Sequence, residues 1–518
     1  MKRIDRIFAL SVTLAVAPLS ALAQQPLSAI DWLDKQPAIT VAQPVPVEPT
    51  VPTDEPPVSD SAQSPGVEVT PLGDARPDAV GLLPSTTTGL PGDLWAASDQ
   101  ASLIKLLQSM PSHPLPAIQA LNYTLLLAEA DAPKSTLSDA AFLRARVHAL
   151  VGYGAVEPAR ALIERAGPEN AILFDTWLSL TLLTGDEDAP CAVLRNQPQL
   201  SRDYGARVYC IARAGDWDTA ALTYDTAVAL GNLRGAEADL LAQYLDPEVI
   251  ETTAIPTPPS SPSPLVFRLY ETSGAPLPTR TLPIAFSMAD LRGNSGWKPE
   301  LEAAERLART GALDPSRLLG IYTERRAAAS GGVWDRVAAL QDFETSLSQA
   351  SVPDIVATLP DAWEAAQSQS LEVPFARLFT PRLARLELNG ETRVLADQIA
   401  LLSPDYEIAS AKITPRTPRD RLLVGLARGM PDPADATTEM ERAIVRGFAT
   451  NAAALPHKSL IENGKLGEAI LNAAQDMGTG QTGSEAKVTD AIATLRAVGL
   501  EDAARRAALQ ILLLPPPT

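Results

Sequence analysis

The chain has 518 residues, of which 46 are proline and only two are cysteine, and its formal net charge is −19 at pH 7. Such an excess of carboxylates repels nucleic-acid phosphates and anionic lipid headgroups, which argues against nucleic-acid binding and against electrostatic docking on membranes. The three histidines are far apart in the sequence, so neither they nor the cysteines have the spacing of a metal site. We therefore expect no metal, no cofactor and no nucleic-acid partner.

Residues 1–23 have the three parts of a secretory signal peptide. A basic start precedes the apolar run 8–17, and Ala21-Leu22-Ala23 then supplies the small-x-small pattern that a signal peptidase cleaves. The run is shorter than the about 20 apolar residues of a membrane span, although an N-terminal anchor is the alternative. Removing this segment, with its three basic residues and one acidic residue, leaves a charge near −21. We expect an exported, periplasmic protein of the bacterial type, without a membrane span.

Residues 24–93 contain thirteen prolines, interspersed with Ser, Thr, Asp and Glu. Frequent proline and few aromatic residues disfavour helices and sheets, so this stretch is predicted to be a disordered, proline-rich tether. Within it, the apolar-acidic segment 27–35 either docks as one or two helical turns or stays unstructured.

From Leu94 onward alanine and leucine dominate, and apolar residues recur every three or four positions between Gly or Pro punctuation. This periodicity is typical of successive amphipathic helices and predicts an all-α fold. We expect helical blocks at 94–250 and 284–412, and C-terminal hairpins with a proline tail at 436–518. The segment 385–396 is the one candidate β-hairpin, with a helix–helix loop as the alternative.

Two proline-containing connectors separate these blocks, at 251–283 and 413–435. The first includes the apolar cluster 265–270, which is predicted to pack as an extended segment laid along the helices.

Short glycine-led segments recur in the helical blocks. Gly154, Gly185 and Gly215 are 31 and 30 residues apart, and Gly464 and Gly499 are 35 apart. Each is followed within a few residues by a small alanine and an apolar helical pattern. Glycine after a helix adopts the left-handed cap that reverses the chain, so each is expected to lie at the turn of a helical hairpin. One hairpin cannot bury its own apolar face, so neighbouring hairpins are expected to stack.

The segment GDWDTAALTYDTA, 215–227, resembles the second half of a tetratricopeptide (TPR) unit, and the other copies match it loosely. The resemblance covers about a third of the chain, and spacings of 30 and 31 depart from the 34 residues of that family. It implies a TPR-like α-solenoid of helical hairpins. It also implies binding of a protein or peptide partner in a concave groove.

Cys191 and Cys210 are the only cysteines. Exported thiols tend to oxidise, and no Cys-x-x-Cys redox motif is present, so the pair is predicted to form a structural disulfide. A bond across this loop contributes about 3 kcal/mol and would join the second helix of one hairpin to the first helix of the next. Two buried free thiols are the alternative.

Catalytic motifs are scarce in this sequence. Ser102 and Lys105 have the Ser-x-x-Lys spacing of penicillin-binding enzymes, but the partner motifs are missing, which favours an ordinary helix. The export signal and helical repeats are similar to those of soluble lytic transglycosylases, whose catalytic Glu-Ser pair this chain lacks. A helix is predicted from about Pro299 to Arg309, with Glu302 and Glu305 on a solvated face.

The sequence thus predicts a non-catalytic periplasmic scaffold or adaptor of the cell envelope that binds a protein or peptide partner. The alternative is a cell-wall-acting enzyme with an unrecognised active site in 284–412. Paired carboxylates or a Ser/His pair in a deep pocket would favour the enzyme, and an open apolar or aromatic groove would favour the adaptor.

Overall fold

The computed structural model describes residues 76–135, 140–246, 248, 253–327, 329–450, 452–478 and 484–515. Over these ranges the chain forms 25 α-helices and five short 3-10 helices, with two isolated bridges and no strand. The fold of the described residues is therefore all-α, as predicted. The predicted signal peptide, the segment 27–35 and the tether up to residue 75 lie outside the described residues.

The first helical block contains ten helices: α1 Ser85–Thr88, α2 Gln100–Gln108, α3 Pro116–Leu127, α4 Ala141–Gly152, α5 Val156–Arg165, α6 Phe174–Thr184, α7 Asp188–Asn196, α8 Tyr204–Arg213, α9 Trp217–Ala229 and α10 Gly235–Leu245. The middle of the chain contains nine: α11 Pro264–Thr272, α12 Ser287–Asp290, α13 Trp297–Arg309, α14 Pro315–Thr323, α15 Val333–Ser348, α16 Val352–Gln367, α17 Glu372–Leu383, α18 Gly390–Leu401 and α19 Tyr406–Lys412. The last six are α20 Pro418–Ala427, α21 Glu439–Ala449, α22 Leu455–Glu462, α23 Leu466–Gly478, α24 Glu485–Ala497 and α25 Glu501–Leu513. The 3-10 turns are Pro77–Ala79, Pro198–Leu200, Thr279–Thr281, Ile284–Phe286 and Pro433–Asp435.

Consecutive helices pack in pairs, among them α4 with α5, α6 with α7, α8 with α9, and α15 with α16. The five glycines that the repeat pattern singles out each lie between two paired helices and have φ between 73° and 88°: Gly154, Gly185, Gly215, Gly464 and Gly499. Only glycine adopts this left-handed conformation at no steric cost. These residues therefore turn the chain within a hairpin.

Residues 76–93 belong to the helical body, which corrects the predicted end of the tether at 93. The Asp78 carboxylate is buried and accepts hydrogen bonds from the Leu143 backbone N–H and from Gln100 Nε2, both at 2.8 Å. The fully buried Arg146 donates to the carbonyl of Val80 at 2.7 Å. Proline in this stretch stops long helices, but these buried polar contacts hold it against α4.

Both predicted connectors contain helices. The apolar cluster 265–270 is buried in α11 instead of running as an extended segment, because Ser263 caps the helix and Pro264 begins it. Likewise α20 lies within 413–435, where Thr417 and Asp420 form a capping box. The segment 385–396 forms no hairpin: a loop leads to Gly390, which begins α18.

Helices far apart in the chain also contact each other. The N–H of Ala117, at the start of α3, donates to Gln510 Oε1 of α25 at 2.8 Å, and Gln475 Nε2 of α23 donates to the Leu106 carbonyl at 2.8 Å. The N–H of Gly467 donates to the Leu94 carbonyl at 3.1 Å. Helices α2 and α3, near the start of the described body, therefore contact α23 and α25, near its end. A linear stack of repeats does not require such contacts. The solenoid arrangement itself stays a prediction.

The core is made of aliphatic and aromatic side chains distributed along the whole helical body. Four tryptophans of the helical body are buried, Trp95, Trp177, Trp297 and Trp363, and a fifth, Trp334, is partly buried against the core. The sixth, Trp217, is 48 % exposed. None of the described helices has the length and apolar character to cross a membrane.

Candidate functional site

Helix α9 carries the segment that resembles a TPR unit, and most of its surface is uncovered. It packs on α8 and α10, yet Ala220 and Ala227 are its only fully buried residues within the described structure. Asp216 caps its N-terminus by accepting from the Thr219 backbone N–H. A helix anchored by two alanines has little of its own side-chain surface in the core, so its remaining faces are open to a partner.

Those open faces carry large apolar residues. Trp217 is 48 % exposed, Leu222 69 %, Val228 41 % and Leu230 68 %. On a helix, positions 217, 221, 224 and 228 fall in one stripe, while Leu222 and Leu230 lie farther round the surface. We call this set, with Ala221 and Tyr224, the α9 face. Exposed apolar patches of this kind mark interaction sites in soluble proteins.

The α9 face lies in an acidic part of the surface. Residues 213–246 contain six carboxylates and two arginines. Asp218 and Asp225 lie beside the apolar stripe on the helix, and Asp239 of α10 is close enough to raise the pKa of Tyr224 further, after burial of that ring. Arg213 is already committed, to Glu187 at 3.2 Å and Asp188 at 2.7 Å. The rim of the α9 face is therefore negative.

A cluster of polar and aromatic side chains from neighbouring helices lies behind the α9 face. The Glu187 carboxylate, fully buried, accepts from Tyr209 Oη at 2.9 Å and from Arg268 at 3.1 Å. The Tyr209 ring stacks on Tyr244 with centroids 5.4 Å apart, and Tyr244 in turn contacts Trp217 at 6.0 Å. Aromatic contact thus fixes the orientation of the exposed indole before any partner arrives.

Cys191 and Cys210 lie on the helices next to this face. Their Cα atoms are 4.8 Å apart, and their sulfur atoms lie at disulfide-bonding distance between α7 and α8. Helix α8 begins at Tyr204, capped by Asp203, which places the two cysteines at matching heights. The pair therefore joins consecutive hairpins, α6–α7 and α8–α9.

The middle block contains two pockets. The first, of about 30 Å³, lies between α14, α15, α16 and α17, and its walls are almost entirely apolar. Its polar lining consists of Tyr322 and Arg336. Both are held from behind by Glu305, which accepts from Tyr322 Oη at 2.5 Å and from Arg336 Nε and Nη2 at 2.7 Å.

Glu305 is only 2 % exposed, which corrects its predicted place on a solvated face of α13. From helical spacing alone, Glu305 was predicted to lie beside Glu302 and Arg309 on one side of the helix. The contact that buries it comes from α14 and α15, which supply the tyrosine and the arginine. The carboxylate thus orients the polar part of the first pocket instead of facing water.

The second pocket, of about 210 Å³, lies between α17, α18 and α19. It combines an aliphatic wall with three charged residues, Arg393, Asp397 and Lys412. Neither pocket is lined by a serine, a cysteine, a histidine or two carboxylates. The arrangement expected of a hydrolytic enzyme is therefore not found in these two pockets.

Two constellations elsewhere have the residue types of catalysis. His457 Nδ1 lies 2.8 Å from Thr494 Oγ1, and its Nε2 lies 3.5 Å from Asp476. The Thr494 hydroxyl is fully buried in α24 and donates to the Asp490 carbonyl at 2.7 Å. Because that proton is committed and no substrate can reach the oxygen, this set is structural.

The second constellation is a carboxylate pair. Burial, together with the nearby charge of Asp203, raises the pKa of Glu237 to about 7. Asp203 caps α8 by accepting from the Ala206 N–H at 3.1 Å, so it has a structural role already. Neither residue lines either of the two pockets.

Ser102 and Lys105 both lie in α2, where the serine hydroxyl donates to Asp99 Oδ2 at 3.2 Å.

Comparison of the chain with protein-family models, with curated proteins and with solved structures finds no match in any of the three. Within the described ranges, no group of three or more His, Cys, Asp or Glu side chains is placed to hold a metal ion. The α9 face was not singled out from the sequence as a site. The sequence did contain a signal for it. Trp217, Leu222 and Leu230 fall on different sides of the helix, so they cannot all face the core.

Proposed function

We propose that this protein is a non-catalytic, TPR-like adaptor of the bacterial periplasm that docks a protein partner on the α9 face. The observation that carries the proposal is the set of exposed apolar side chains on α9, which begins with the half-exposed Trp217. Tryptophan is enriched among the residues that dominate binding energy in interfaces. The N-terminal signal sequence supports export, and the paired cysteines suit an oxidising compartment.

The partner that fits this face is an amphipathic helix with basic residues beside its apolar stripe. Positions 217, 221 and 228 are exposed and Tyr224 is half-buried, and the four repeat at helical spacing, which an apolar helix stripe complements. The acidic rim pairs with Lys or Arg flanking that stripe. A second copy of the chain fits poorly, because Asp218 and Asp225 of one face would approach the same carboxylates of the other.

Site-specific photo-crosslinking in the intact cell envelope tests the docking site. A photo-reactive residue at Ala221, exposed in the stripe, is expected to give one dominant adduct, and the same residue at Ile408, 64 % exposed on α19, serves as the matched control. The captured protein is expected to contain a basic amphipathic helix. A synthetic peptide of that helix should bind the purified protein, more weakly as salt is raised.

Substitution of Trp217 then measures its contribution. Trp217→Ala is expected to weaken peptide binding at least about tenfold, whereas Ile408→Ala leaves it unchanged. Unchanged helical circular dichroism would show that both variants fold. Equal adducts at positions 221 and 408, an adduct between two copies, or an acidic partner segment would each overturn the proposal.

Export is tested separately. Mass spectrometry of the protein from a periplasmic fraction should find a mature N-terminus at Gln24. A full-length N-terminus, or recovery only with the cytoplasm, would contradict the proposed location.

A further inference from the structure

The pocket between α17, α18 and α19 has the features of a small-ligand site that is independent of the α9 face. Its volume of about 210 Å³ is smaller than that of a pocket for a drug-sized ligand, about 300–1,000 Å³, and suits one end of a short ligand. One wall is aliphatic, with Leu383 and Leu388 almost fully buried. The charged side chains of Arg393, Asp397 and Lys412 line the same space. Mixed apolar and charged linings of this kind orient amphiphilic ligands.

The geometry of α18 prepares the arginine for an anion. Arg393 Nε donates to Asp397 Oδ1 at 2.8 Å, four residues along the helix, which fixes the plane of the guanidinium. A guanidinium held along one edge still offers donors on its terminal nitrogens, in the fork arrangement that matches a carboxylate. Lys412, at the end of α19, adds a second positive charge to the lining.

Asp397 restricts which anions the pocket can bind. Its side chain is 17 % exposed, and burial raises its pKa, against the opposing charges of Arg393 and Arg416. A carboxylate here repels a doubly charged phosphate, but it accepts a hydrogen bond from an N–H next to a singly charged group. The free carboxyl end of a peptide has this combination, because its last backbone N–H lies beside its terminal carboxylate.

Thr380 is a further polar group at the pocket wall. The residue is 3 % exposed, and its hydroxyl has no hydrogen-bond partner among the described residues. A buried hydroxyl left without a partner is unfavourable in a folded protein. Its presence beside the charged lining is consistent with a site that becomes fully bonded only when occupied.

We propose that this pocket binds the free carboxyl end of a short aliphatic peptide, with Arg393 and Lys412 on the carboxylate. Asp397 accepts from the adjacent backbone N–H, and Leu383 and Leu388 contact an aliphatic side chain. This site goes beyond the proposed docking on α9, since none of its residues lies in α9.

Isothermal titration of the full chain with the tripeptide Ala-Leu-Ala tests the site. One equivalent is expected to bind, and the C-terminally amidated tripeptide should bind at least about tenfold more weakly, since it loses the charge-assisted contacts. Inorganic phosphate is the comparison anion and is expected not to compete. Arg393→Gln and Lys412→Gln should each weaken binding about tenfold or more, while Arg325→Gln, an exposed arginine on another loop, has no effect.

Lys412 is exposed, so loss of binding in its variant is not explained by misfolding. Trp217→Ala should leave tripeptide binding intact, which separates this site from the α9 face. Equal affinity for the free and amidated peptides, competition by phosphate, or no binding to the wild-type chain at millimolar peptide would overturn the assignment.

Discussion

Buried carboxylates show at the residue scale how this protein distributes charge. Glu187 and Glu305 each accept from a tyrosine and an arginine supplied by later helices, so their charge is balanced where they are buried. Glu372 is different. It is 3 % exposed at the start of α17 and, unlike Glu187 and Glu305, forms no ion pair with an arginine among the described residues. Burial raises the pKa of Glu372 to about 7, although Arg309 opposes this shift.

Replacing Glu372 by Gln should remove part of the pH dependence of stability. Because the folded state holds the proton up to about pH 7 while the unfolded chain releases it near pH 4.5, ionisation of Glu372 lowers the free energy of unfolding as pH rises through that window. The full effect above pH 7 is about 3 kcal/mol. Urea unfolding at pH 5 and pH 8 should show that Glu372→Gln gains stability relative to wild type only at the higher pH.

The exposed Glu387 provides the matched control. Glu387→Gln is expected to keep the same difference from wild type at both pH values. A constant difference for Glu372→Gln as well would show that this carboxyl group is not held protonated by its surroundings.

At the scale of helices, sequence periodicity predicted which segments are helical but not what each helix contacts. The pattern from Leu94 onward and the glycines of the hairpins correspond to helices and turns in the structure. Proline, in contrast, gave misleading boundaries: α11 and α20 begin at Pro264 and Pro418, where proline suits the first turn of a helix. The burial of Glu305 and the exposure of Trp217 depend on helices packed from other parts of the chain, which periodicity does not encode.

Loss of the link between α7 and α8 should destabilise the first block. The double variant Cys191→Ser, Cys210→Ser is expected to lose about 3 kcal/mol of unfolding free energy under oxidising conditions, because the unfolded chain regains the entropy of the open loop. Denaturant titration measures this loss, and a reducing agent should lower the stability of wild type but not of the double variant.

The two cysteines are buried, so maleimide labelling must be done in denaturant. Wild type should label only after reduction. Labelling of both residues in denaturant without a reducing agent would show that they are free thiols.

The close packing of α21 against α24 depends on Gly447. A Cβ atom at this position would lie 2.8 Å from Ile492 Cβ and 3.0 Å from the Thr489 carbonyl oxygen. Gly447→Ala should therefore push α21 from α24 and lower the free energy of unfolding by about 1–3 kcal/mol. Thermal or urea unfolding measures this change.

Gly320→Ala is the control, because a Cβ there meets no atom within 4 Å and alanine favours the helix. It should be neutral or slightly stabilising. Equal effects of the two substitutions would mean that α21 and α24 are not in such close contact.

At the scale of the whole helical body, α2 and α3 contact α23 and α25, which lie at the other end of the sequence. Ala117 and Gln510 are 393 residues apart in sequence and are joined by a buried hydrogen bond. No local pattern in the sequence predicted this contact, because both helices look like ordinary repeat helices. Its main consequence is that the two ends of the body should stabilise each other.

Gly467→Ala should weaken that mutual stabilisation. A Cβ atom on Gly467 would lie 2.9 Å from the Leu94 carbonyl oxygen and would overlap the Trp95 ring. Hydrogen exchange should become faster in α2 and α3 as well as in α23 and α25, because loss of the contact frees both ends. Gly152→Ala, with open space around the added Cβ, is the control. Faster exchange confined to α23 would contradict coupling between the ends.

The bond between Ala117 and Gln510 also sets an order of events during synthesis. A ribosome adding about 5–20 residues per second needs roughly 20 to 80 s to make the stretch that separates these two positions. During that interval α3 lacks α25, the helix that it packs against. A nascent chain with such an uncovered surface is easily kept unfolded by a chaperone. Delayed completion of this kind would suit the export proposed above, because a polypeptide must stay unfolded to pass through a secretion channel.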